Sequence, residues 1–111
     1  MAYMPADMVA PLSPHQLQVV GDVLTDWLVK ARYPVGTVEF HETAIWGASV
    51  YRVCVTLLAL EGEPARMIEV YWQPWLHTTM RSALRDLYDR VTEEDRHQKL
   101  EAKLSSPGEA V

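Results

Sequence analysis

TVEFHETAIWGASVYRVCVTLLALEGEPARMIEVYW, residues 37–72, alternates apolar and polar side chains through three runs separated by two turn signals. The runs 37–46, 49–60 and 65–72 predict three strands. The Gly47-Ala48 turn and the Glu61-Gly62-Glu63-Pro64 loop join them as two antiparallel hairpins. With Trp46 opposite Ser49 and Leu60 opposite Ala65, every alternation agrees across both turns. One face then collects Val38, Phe40, Tyr51, Val53, Val55, Leu57, Ile68, Val70 and Trp72. The other carries Glu39, His41, Cys54, Thr56, Leu58, Met67, Glu69 and Tyr71. A one-residue slip would exchange the two faces, so agreement at both turns is evidence for the sheet. Gly47 at the first position of a two-residue loop suits a type II′ turn, and Pro64 at the start of the third strand predicts an edge.

Upstream, Ser13, Pro14 and Gln16 form an N-cap, a first-turn proline and a capping box, with Leu12 and Leu17 placed as a hydrophobic staple. Leu17, Val20, Leu24, Trp27, Leu28 and Ala31 follow at spacings of three and four, the stripe of an amphipathic helix. Gly21, beside that stripe, predicts a close helix–sheet approach. Tyr33-Pro34 ends the helix, because the residue before proline is driven out of the helical region. Downstream, Leu76, Met80, Ala83, Leu84, Leu87 and Val91 predict a second helix beginning near Pro74. Its apolar stripe stops at Val91. Thr92-Glu93-Glu94-Asp95 reads as a fresh N-cap, so the chain to Leu104 is either a solvated helical arm or a short separate helix.

The expected order is therefore α-β-β-β-α. This is a two-layer α+β domain, a three-stranded antiparallel meander with both helices packed on its Val/Phe/Ile/Trp face. Residues 1–12 are expected to be a flexible N-terminal segment, 13–104 a single domain and 105–111 a flexible tail.

Composition narrows the function classes. At 111 residues the chain is one domain, and its four Trp and 49% hydrophobic content argue against disorder. The formal charge of -5 and scattered Lys and Arg argue against direct nucleic-acid binding and suit a partner with a basic surface. No run approaches the roughly 20 apolar residues of a membrane span. A lone cysteine and the absence of a secretory start point to the cytoplasm.

No motif names a reaction, and neither a cofactor nor a metal is expected. The predicted register places His41, Cys54 and Tyr71 in one row and Glu39, Thr56 and Glu69 in the next. That arrangement supports an alternative reading as a small Cys54/His41 enzyme or a metal protein. A flat sheet face lacks the concavity that excludes water, so this stands behind a non-catalytic role.

The second sheet face is left uncovered by the chain's own elements and is only partly polar. A contiguous exposed apolar patch marks an interaction site. The expected partner-binding residues are Leu58, Met67, Tyr71, Glu39 and Glu69 on that face. Trp75 joins them as an exposed aromatic anchor, and Glu93 and Glu94 as part of an acidic helix. The expected function is a protein-binding module that occludes a partner's surface, with a homodimer built on the open faces as the alternative. A short, acidic, aromatic-rich chain without catalytic motifs is similar in composition to the inhibitors that phages and mobile elements encode, anti-CRISPR proteins among them.

Overall fold

The computed structural model describes residues 12–45 and 48–105. Helix α1 (Pro14–Lys30) is followed by β1 (Val35–Ile45), β2 (Ala48–Leu57) and β3 (Arg66–Trp72). A 3-10 turn at Pro74–Leu76 then leads into α2 (Met80–Ser105). The sheet order is β1-β2-β3, antiparallel throughout, so the domain is the expected α+β meander with two helices.

The alternation on the two faces is as expected, while the pairing within it is not. The structure pairs Phe40 with Val53 and His41 with Arg52, where Phe40 with Val55 and His41 with Cys54 were predicted. Likewise Cys54 faces Glu69, and Thr56 faces Met67. Both hairpins are offset by two residues from the predicted register, which leaves every side chain on its predicted face. Alternation has a period of two and cannot separate registers that differ by two. Turn chemistry decides. At the second hairpin the chain turns tightly at Glu61-Gly62, with Leu60 and Glu63 exchanging both backbone hydrogen bonds at 3.0 and 2.9 Å. Gly62 takes a φ of +83°, a conformation most other residues avoid. At the first hairpin Ile45 pairs with Ala48, so Trp46 and Gly47 form the connection. These two residues, and the type II′ turn expected there, lie outside the described residues.

The core forms where the two apolar helix stripes meet the sheet. Val20, Leu24 and Leu28 of α1 and Ala83, Leu84, Leu87 and Val91 of α2 close over Tyr51, Val53, Val55, Leu57, Ile68 and Trp72. Trp72 is fully buried, and its indole N–H donates to the Ala83 carbonyl at 2.8 Å. Tyr51 makes edge contact with Phe40 and lies 5.9 Å from Trp72, centroid to centroid. The capping box at Ser13 and Gln16 is present. Leu12 docks with it, buried, its N–H donating to the Tyr51 hydroxyl at 2.7 Å. Gly21 provides the close approach, since a Cβ there would lie 3.3 Å from the Phe40 ring.

The expected start of the second helix is corrected. Pro74 opens only a 3-10 turn, Leu76 is exposed, and the α-helix begins six residues later. Thr79 is its cap, accepting from the Ser82 N–H at 3.1 Å. From there the helix runs without a break through Thr92 to Ser105, so the continuous arm is the form adopted.

Candidate functional site

The uncovered face of the sheet is built from the alternate residues of the three strands. Its cross-strand rows are Glu39–Cys54–Glu69, His41–Arg52–Tyr71 and Thr37–Thr56–Met67. Met67 and Tyr71 lie four residues apart on the edge strand β3, with Glu69 between them on the same face, and expose 53% and 59% of their surface. Leu58 and Leu60, which carry the chain out of β2, are about half exposed. Leu58 lies over Gly36, where a Cβ would come within 2.9 Å of its side chain. Gly36 is the extra residue at a register shift between Val35 and Thr37, so a backbone bulge and a missing side chain together seat Leu58. Around these apolar groups the face carries both signs of charge. Arg52 lies 3.5 Å from Glu69, and His41 lies 3.7 Å from Glu39.

Cys54 sits at the centre of the face yet is only 4% exposed. Its row neighbours are the two carboxylates, not His41, so the Cys–His juxtaposition expected from the sequence is not formed. Burial pushes its thiol above the ordinary value. Arg52 opposes this shift, and Glu69 and Glu39 add to it. The protonated thiol is therefore favoured, which is the opposite of nucleophile activation. Among the described residues, no group of three or more His, Cys, Asp and Glu is placed to hold a metal.

The other predicted partner-binding residues lie elsewhere. Trp75 is half-buried and packs against the core, so it is not the exposed anchor expected. Its indole nitrogen is buried without an acceptor among the described residues. Glu93 and Glu94 belong to α2, in the helical layer on the opposite side of the sheet. There they line a groove of about 540 Å³ with Arg90, Arg96, His97 and Leu100. Neighbouring acids of α2 are paired with its own cations. Asp86 binds Arg90 at 2.8 Å, Asp89 lies 3.5 Å from Arg85, and Glu93 lies 3.6 Å from Arg96. The structure thus places Met67, Tyr71, Glu39 and Glu69 on one sheet face, sets Leu58 past the end of β2 beside Gly36, and separates Trp75, Glu93 and Glu94 from them.

One polar cluster was not anticipated. Asp95 is 1% exposed and bonds to Arg66 at the start of β3, with Lys99 3.3 Å away. Gln98 accepts from Arg66 at 3.2 Å and donates to the Met67 carbonyl at 3.2 Å. The signal was present in the spacing Leu84, Leu87, Val91, Asp95, Gln98, which continues the buried stripe at helical intervals with polar members. A strictly apolar reading of the stripe ends it at Val91. The cluster ties α2 to the edge strand that carries Met67 and Tyr71.

No helix among the described residues is long and apolar enough to cross a membrane. Comparison of the chain with protein-family models, with curated proteins and with solved structures finds no match.

Proposed function

We propose that this chain is a non-catalytic protein-binding module that acts by covering a partner protein's surface with the uncovered face of its sheet. The observation that carries this reading is the exposure of Met67 and Tyr71 on one face of the edge strand β3, flanking Glu69, with the exposed Leu58 and Leu60 beyond the end of β2. The sheet fixes their backbone in advance, so binding has only the side chains themselves to order. Glu39, Glu69, Arg52 and His41 surround them as a polar rim, which steers encounter and fixes orientation more than it supplies affinity. Steric occlusion of the partner is the mode of action, and inhibition of the kind suggested by the composition is the biological role proposed. The cytoplasm is the proposed compartment, where the lone Cys54 stays reduced.

The test is capture from a native lysate with wild type beside a Met67→Lys/Tyr71→Lys variant. Both positions are more than half exposed, so the variant keeps its fold to within about 0.5 kcal/mol per site. A partner retained by wild type and lost by the variant is the expected result. A partner retained equally by both would move recognition to the helices and refute the assignment.

A further inference from the structure

We infer that this chain forms a twofold homodimer by antiparallel pairing of β1 with β1 of a second copy, joining two three-stranded sheets into one of six strands. This contact uses the edge of the sheet and is independent of the reading given to its uncovered face.

The two edges of the sheet are unlike. Strand β3 has seven residues, follows Pro64, and has its Met67 carbonyl occupied by Gln98 of α2. Strand β1 has eleven residues without a proline or a lysine, and its one irregularity lies at its beginning. Long edges without such protections pair with other strands. The Leu58 N–H donates to the Pro34 carbonyl at 2.7 Å, which sets the even residues of β2 toward β1. Their partners, the odd residues of β1, point back at them. The N–H and C=O groups of Val38, Phe40 and Glu42 therefore face outward along the free edge.

The strand is complementary to itself in one register. A twofold axis through Phe40 pairs Thr37–Thr43 of the two copies, clear of the bulge at Gly36. That register sets Glu39 of each copy opposite His41 of the other, on the same face and both exposed. It also places the two Phe40 rings together at the axis, a favourable cross-strand pair. Moving the axis to Glu39 would set two glutamates opposite each other, and like charges so placed are destabilising. Moving it to His41 would oppose two histidines and lose both Glu39–His41 pairs. On the helical side of the edge runs a groove of about 410 Å³ lined by Leu17, Gly21, Asp22, Thr25, Val38 and Phe40. It offers room for the inward side chains of an added strand.

The test is analytical ultracentrifugation of the full chain up to about 100 µM, the range in which weak self-association is read. Wild type is expected to sediment as a dimer. His41→Glu creates two like-charge pairs across the axis, and Glu39→Lys removes both carboxylates that would accept from the opposing imidazoles, so each should weaken the dimer by about tenfold. The double variant Glu39→Lys/His41→Glu restores opposite pairs and should return the affinity to within a few-fold of wild type. Rescue separates an interface effect from misfolding, and Glu42→Pro, which removes an outward N–H, should abolish the dimer. A wild type that stays monomeric overturns the inference. So does a dimer indifferent to the single reversals but broken by Met67→Lys/Tyr71→Lys, which would place the contact on the face.

Discussion

Arg32 occupies the position after the α1 C-cap with a φ of +73°, where glycine is the usual occupant. The amides of Arg32 and Tyr33 close back on the carbonyls of Val29 and Leu28, both at 2.9 Å, so the left-handed residue completes a Schellman motif. A side chain in that conformation costs about 1–2 kcal/mol, partly offset by the lower unfolded-state entropy of a non-glycine residue. Arg32→Gly should therefore raise stability by about 0.5–1 kcal/mol, read as a rise of roughly 4 °C in thermal unfolding. Cys54 provides a second check at this scale. With burial and two neighbouring glutamates favouring its protonated form, native Cys54 should react with a thiol-labelling reagent at least about tenfold more slowly than in the unfolded chain. Labelling as fast as in the unfolded chain would return the thiol to the candidate nucleophiles.

The contact of α2 with β3 depends on a buried charge. Asp95 is far more enclosed than Arg66, whose side chain is 21% exposed. Removing the cation leaves the carboxylate buried with only Lys99, whose side chain is 53% exposed, as a charged partner, whereas removing the carboxylate leaves a guanidinium that can reach water. Arg66→Met should thus cost about 3–5 kcal/mol and Asp95→Leu less, with the double variant nearer wild type than Arg66→Met. Denaturant titrations of the three variants check that order. The same helix shows where sequence reading succeeds and where it stops. The stripe from Ala83 to Val91 was legible because buried positions recur every three or four residues and are filled by apolar side chains. Asp95 and Gln98 obey the same spacing but were hidden by their polarity, which is satisfied chiefly by Arg66 and the Met67 carbonyl of β3. Similarly, Met67, Glu69 and Tyr71 could be assigned to their face from alternation alone. Their row partners could not, because the offset of two residues rests on which pair of positions around Gly62 makes the turn.

Across the whole molecule, the helical layer closes one side of the sheet and the other stays uncovered among the described residues. Two tyrosines report on the integrity of the closed side. Burial raises the pKa of Tyr33 above 10.0, and Asp95 adds to the shift. Burial also raises that of Tyr51, with Glu42 adding to the shift and the Leu12 amide opposing it. In each case the folded chain holds the phenolic proton more tightly than the unfolded chain does. The stability so contributed is fully present below about pH 10 and is lost as pH rises through the raised values. Thermal unfolding temperatures should therefore fall above pH 10, and the fall should diminish in Tyr51→Phe. Binding through the uncovered side is tested by amide chemical-shift mapping. Isotope-labelled chain is titrated with the partner recovered by capture. Perturbations should concentrate at Arg52, Cys54, Met67, Glu69 and Tyr71, with α1 and α2 little changed. Perturbations confined to α2 residues 90–100 or to the neighbourhood of Trp75 would contradict it.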